Sequence, residues 1–165
     1  MAEPVTLRPC PALWQASVPA EGAASAIRRL ASALGAAPPA PGRTLETAEG
    51  LLWRGAPRRW RMRAEAAGAP APEAFAALDG AALSDLGPGL AIIGLHGETA
   101  EALAARAVTL DLRAAAFPSG AAATTVHRHA TVTLLRVAEG FEMLAPRSLA
   151  EDFAERLAGI AARLG

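Results

Sequence analysis

The chain has 165 residues, 52% of them hydrophobic, and its 16 basic residues, all arginine, balance 16 acidic ones. A chain of this length buries about 70% of its unfolded surface as one globular domain, and its neutrality leaves no net field to favour nucleic acid or an anionic membrane. Met1-Ala2-Glu3-Pro4 has neither the basic start nor the apolar core of a secretory leader, no apolar run reaches the ~18 residues of a membrane helix, and Cys10 alone can form no intramolecular disulfide; a cytoplasmic protein is expected. Lys, Asn and Tyr are absent while Ala, Arg, Gly and Pro abound, the bias of a GC-rich coding sequence, so arginine clusters are discounted accordingly.

From Val5 to Val18 the chain is apolar with Pro9 and Pro11 embedded, which predicts a sheet-edge strand or two short pieces. Glu21 to Leu34 reads as the first helix, with Ile27, Leu30 and Leu34 on one face and Gly35 placed for the C-cap. Ala36 to Gly42 is a proline-rich connector. Thr44 to Ala64 reads as a hairpin: Leu51-Leu52-Trp53 leads in, Gly55-Ala56-Pro57 turns and Trp60-Arg61-Met62 leads out. A second helix starts at Pro70-Ala71-Pro72-Glu73, with Pro72 suited to its first position and Phe75 and Leu78 as anchors. Ala82 to Leu86 and Leu90 to Leu95 are strand candidates separated by Gly87-Pro88-Gly89; the second is continuously apolar and should be central. Glu98 to Ala107 is the third helix, with Leu103 and Ala107 inward.

Phe117-Pro118-Ser119-Gly120 fits a type I turn, and an extended segment follows from Ala123 to Ala145. Within it, Thr131 to Val137 and Phe141 to Leu144 form a hairpin about Ala138-Glu139-Gly140, closed by Pro146. Ser148 and Glu151 have capping-box spacing, and Leu149, Phe153, Leu157, Ile160 and Leu164 then share one face of a fourth helix. A strand, helix, hairpin, helix order thus occurs twice. This implies an α+β body of antiparallel sheet covered by about four helices, one domain over residues 1–165 with pseudo-repeated halves at 1–80 and 81–165.

Candidate chemistry is sparse. His127 and His129, two apart on one strand, would project from one face and could share a metal, but no further ligand lies near in sequence; solvated or interface histidines are the simpler reading. His96 before Gly97 is read as a turn histidine at a helix entry. Gly87, Gly89, Gly94 and Gly97 have a strand between them where a dinucleotide fingerprint would open a helix, so they mark turns. No phosphate loop, nucleophile elbow or cysteine–histidine pair is present, and neither a catalytic residue nor a metal site is expected. Arg54, Arg58, Arg59, Arg61 and Arg63 surround Trp53 and Trp60. A stacking surface for single strands is conceivable, yet alternation puts Trp60 and Met62 on one face of the strand and Arg59, Arg61 and Arg63 on the other. The tryptophan is expected in the core and the arginines against water or a partner; Arg54, Arg58, Arg59, Arg61, His127 and His129 are the candidate interface.

Asp111-Leu112, Phe117-Pro118-Ser119-Gly120, Thr124-Thr125, the C-terminal hairpin and Pro146-Arg147-Ser148 resemble the gamma subunit of heterotetrameric sarcosine oxidase. Asp85-Leu86 and Gly97 extend the likeness more weakly, in a pattern shared with the folate-binding aminomethyltransferases (glycine-cleavage T-proteins). The resemblance implies an aminomethyltransferase-like fold and an accessory, non-catalytic role. Other subunits, alpha, beta and delta, would carry FAD, FMN, NAD, tetrahydrofolate and zinc, oxidise sarcosine to glycine, and pass the methyl carbon to tetrahydrofolate or release it as formaldehyde. This chain would bind none of these cofactors alone, be inert alone, and self-associate when isolated. Two other readings stand beside this one: a complex acting on another N-methyl amine such as N-methylglutamate, and a stand-alone folate-binding protein, a fold that normally needs about twice this length. The chain departs from the gamma pattern at Asp85-Leu86-Gly87 and Gly89-Leu90, where Asp-Leu/Val-Ser and Gly-Arg are usual, and at Ala107, where cysteine is common. A serine contact and an arginine contact are thereby missing.

Overall fold

The computed structural model describes residues 3–164; Met1 and Ala2, on which the leader reading partly rests, and Gly165 lie outside the described residues. Its strands are β1 (Val5–Pro9), β2 (Leu13–Ser17), β3 (Thr44–Thr47), β4 (Gly50–Ala56), β5 (Arg59–Arg63), β6 (Ala82–Asp85), β7 (Leu90–His96), β8 (Ala122–His127), β9 (Ala130–Val137) and β10 (Gly140–Pro146). Its helices are α1 (Ala23–Leu34), α2 (Glu73–Ala76), α3 (Ala100–Ala107) and α4 (Arg147–Ala161). The fold is α+β, with two antiparallel five-stranded sheets among the described residues. Among the described residues no helix is long and apolar enough to cross a membrane.

The chain divides into two compact units, Pro11–Pro88 and Met1–Cys10 with Gly89–Gly165. In the first, the sheet order is β3-β4-β5-β2-β6; in the second it is β8-β9-β10-β7-β1. Each unit therefore runs strand, helix, three-stranded meander, helix, and each is completed by an edge strand beside its first strand. The two edge strands are exchanged in sequence: β1 precedes β2 but pairs with β7, whereas β6 precedes β7 but pairs with β2. The apolar segment from Val5 to Val18 is accordingly split. β1 is an edge strand, but β2 is interior, hydrogen-bonded to β5 and β6, because Pro9 and Pro11 fall at or beyond the strand ends where no ladder N–H is lost.

In the first unit Ala26 and Leu30 of α1, Leu52, Trp60, Met62 and Phe75 form the core, and Gly35 closes α1 in the left-handed region at φ 65°. Ile27 is exposed; small Ala26 takes the inward position beside Leu30. α2 is a single turn whose N-terminus is capped from afar, Glu73 N–H donating to Glu49 Oε1 at 2.6 Å and Ala74 N–H to Oε2 at 3.3 Å. Pro72 is its N-cap residue and not its first helical one. In the second unit α4 packs on β1 and β7, and α3 on β7 and β10, over a core that includes Ile93, Leu95, Leu103, Leu134, Phe141, Met143, Phe153 and Leu157. β7 is interior, between β1 and β10, and buried along nearly its whole length as its continuous apolar run predicts, although β10 is the middle strand of the five.

Local chemistry departs from expectation in three turns. Ala121 N–H bonds Pro118 O at 2.9 Å, so the turn starts at Pro118 and places Gly120 third at φ 73°. The β4–β5 reversal is at Pro57-Arg58, with a bulge between Arg54 and Ala56, and β3 makes the hairpin a meander. α4 begins at Arg147 with Pro146 as N-cap residue and no side-chain cap bond, so Ser148 and Glu151 form no capping box: the strand passes directly into the helix, whose N-cap falls two residues before Ser148.

Candidate functional site

The arginine hairpin is built by β4, the Pro57-Arg58 turn and β5. Arg54 is half-buried on the core face: its guanidinium lies 5.4 Å from the ring of Trp60, its cross-strand neighbour, and its Nε donates to Pro57 O at 3.2 Å. Trp60 is 3% exposed and Met62 fully buried, as alternation predicts. Arg58 and Arg59 are exposed at the tip, where Val18 N–H donates to Arg58 O at 2.9 Å and so ties β2 to the turn. Ser17, Val18, Ala56, Pro57, Arg58 and Arg59 line a cleft of about 500 Å³.

The opposite face of this strand is not the solvated one expected. Arg63 is 7% exposed, beside Leu51 and Leu13, and Trp53, opposite Arg61, is 1% exposed. Arg61 is half-buried; its Nε donates to Gln15 Oε1 at 3.0 Å, and its chain lies over Gly55, where a Cβ would stand 3.2 Å from Cδ. Burial, and then the charge of Arg59, lower its pKa from the usual arginine value. Alternation assigns residues to faces, but not which faces are covered, and here both are. Of the expected arginine surface, Arg58 and Arg59 are open to a partner, with Arg54 and Arg61 behind them.

The histidines also separate. β8 ends at His127 and β9 starts at Ala130, so Arg128 and His129 form a tight turn, with Arg128 at φ 55°. His127 faces inward, 6% exposed, with Nδ1 2.6 Å from Ala107 O and its ring edge-on to Phe153 at 4.4 Å. It is a core residue, not an interface one. His129 is on the exposed turn beyond the strand, its ring 6.3 Å from that of the same Phe153. No group of three or more His, Cys, Asp or Glu among the described residues is arranged to hold a metal.

A polar group that sequence reading missed lies on the second sheet. Thr6, Gly94 and Glu142 are register partners across β1, β7 and β10. Thr6 Oγ1 is 3.0 Å from His96 Nε2, and Arg8 Nη2 donates to Glu142 Oε1 at 2.8 Å. A Cβ on Gly94 would come within 2.4 Å of His96 Nε2 and 2.5 Å of Thr6 Oγ1, so glycine makes room for this bond. His96 is thus the last residue of a strand and not a helix-entry turn. Its partner Thr6 is 90 residues away, and the local signal was a glycine interrupting an apolar run. Arg136, beside a cleft that also includes Glu98, Glu101 and Glu139, is engaged by Leu112 O at 2.7 Å, Phe117 O at 3.0 Å and Glu101 Oε2 at 3.0 Å.

No protein-family model and no curated protein matches the chain. Among solved structures, a chain of the heterotetrameric sarcosine oxidase from Corynebacterium sp. U-96, determined in complex with pyrrole 2-carboxylate, is similar with a TM-score of 0.76 and 24% identity, over 99% of this chain and 87% of that one. The likeness read from the C-terminal half of the sequence extends, as fold, over the whole chain, which has the fold of a subunit of heterotetrameric sarcosine oxidase.

Proposed function

We propose that this chain is an accessory, gamma-type subunit of a heterotetrameric sarcosine oxidase-like complex, stabilising larger subunits that demethylate sarcosine to glycine and transfer its one-carbon unit to tetrahydrofolate. The observation that carries this reading is the extent of the structural likeness: the similar chain belongs to a heterotetramer and is only slightly longer than this one, as its 87% coverage requires. A small subunit is thereby favoured over a large catalytic one. In this reading FAD, FMN, NAD, tetrahydrofolate and zinc reside on the partner subunits, because hydride removal from a secondary amine needs an electron acceptor that side chains do not supply. The chain alone is inert and contributes buried surface, and such obligate interfaces run to ~2,000 Å² or more.

Tagging the chain in its native host, recovering its partners and assaying the eluate with sarcosine and other N-methyl amines tests this. Flavoprotein subunits active on sarcosine are expected. Recovery of the chain alone, or turnover by it alone, overturns the reading; flavoprotein partners active on N-methylglutamate instead would keep the role and change the substrate.

A further inference from the structure

Arg58 and Arg59 are exposed, and among the described residues neither guanidinium is in an ion pair, whereas Arg8, Arg29, Arg113, Arg136 and Arg156 each have a carboxylate. They line the cleft together with Ser17 and the apolar Val18, Ala56 and Pro57. Like charges crowd here: Arg59 lowers the pKa of Arg61 behind it, and a bound anion would relieve that repulsion. We infer that this cleft docks a carboxylate-rich segment of a partner protein, held by Arg58 and Arg59; naming that partner as a subunit of the complex rests on the proposed function.

Two features select an acidic peptide. Guanidinium forks match carboxylates two bonds at a time, and an aliphatic lining accepts the methylenes of Asp and Glu side chains. Single-stranded nucleic acid would need exposed aromatic platforms, and both tryptophans of the hairpin are withdrawn, Trp53 at 1% and Trp60 at 3% exposure.

The test uses the full chain and a fluorescein-labelled hexaglutamate peptide followed by anisotropy. The wild type should bind, more weakly as salt rises. Arg58→Glu with Arg59→Glu should lower affinity at least tenfold while the melting temperature moves by no more than about 2 °C. Arg28→Glu with Arg106→Glu, the same charge change on α1 and α3, should retain binding. Equal affinity of the Arg58/Arg59 variant, or tighter binding of a thymidine 20-mer than of hexaglutamate, overturns the inference. In the native host, a charge-reversed chain that recovers flavoprotein subunits as well as wild type overturns it while leaving the proposed function intact. If wild type recovers none, the proposed function fails and the peptide titration still decides the chemistry of the cleft.

Discussion

The guanidinium of Arg136 lies 5.0 Å from the ring of Phe141, its register partner across β9 and β10. Arg54 and Trp60 repeat the arrangement at the same place in the first unit, across β4 and β5, at 5.4 Å. The two pairs share a geometry but not a workload. Arg136 also donates to Leu112 O, Phe117 O and Glu101, while Arg54 donates only to the exposed Pro57 turn.

Arg136→Ala should therefore cost about 2–3 kcal/mol, because it strands two carbonyls of the loop before β8 and removes a cation over an aromatic face. Arg54→Ala should cost no more than about 1 kcal/mol. Urea denaturation of both variants decides this, and equal losses would refute the assignment.

On the hairpin, Trp60→Ala should destabilise by ~3–5 kcal/mol, since the ring is 3% exposed within the core of the first unit. Arg58→Ala with Arg59→Ala should stay within about 0.5 kcal/mol of wild type. A harmless Trp60 change with a ruinous arginine pair would invert the face assignment.

His127 is held at Nδ1 by Ala107 O at the end of α3, and its ring packs nearly perpendicular to that of Phe153. His127→Ala should cost about 2 kcal/mol and couple to Phe153→Ala by ~1 kcal/mol in a double-mutant cycle. Equimolar zinc should leave the melting temperature unchanged, since Nδ1 is committed to a carbonyl and Nε2 is buried. A zinc-dependent rise would restore the shared-metal reading of His127 and His129.

Element types and the doubled order were legible because they follow from local periods: the 3.6-residue stripe of α4, the continuous run of β7, the glycine after α1. Partnership was not. Nothing local to β1 says that it pairs with β7, whose register partners lie from Pro9↔Ala91 to Val5↔Leu95, or that β2 beside it belongs to another sheet. The site suffered for the same reason. Alternation correctly separated Trp60 from Arg61 and Arg63, but an arginine-bearing face was equated with a wet one, and Arg63 is buried. The histidines were misplaced because a tight turn with Arg128 at φ 55° has no glycine or asparagine to announce it.

Asp111 accepts from Arg113 Nε at 2.8 Å and from its backbone N–H at 3.2 Å. The side-chain bond first, then the backbone bond, lower its pKa from 3.8 to about 2. A depressed carboxylate contributes stability above its unfolded pKa, and that contribution disappears as pH falls from near 4 through about 2. Carbon-detected NMR titration should place Asp111 near 2, and Arg113→Ala should return it towards the ordinary aspartate value. An unmoved titration would deny the pair in solution.

Gly140 opens β10 at φ 137°, and a Cβ there would stand 2.1 Å from Leu95 O on the neighbouring strand. Gly50, which opens β4 at φ 138°, meets Arg63 O at the same 2.1 Å. Both conditions are prohibitive for an L side chain, one through the dihedral and one through contact with backbone that a rotamer change cannot relieve. Gly140→Ala should cost roughly 3 kcal/mol or more, the sum of backbone strain and overpacking, and Gly50→Ala should cost a similar amount. Gly159→Ala on α4, where a Cβ meets nothing within 4 Å, should instead be neutral or stabilising by up to about 1 kcal/mol. Thermal melts of the three variants separate these cases, and a Gly140→Ala protein as stable as Gly159→Ala would contradict the packing of β10 against β7.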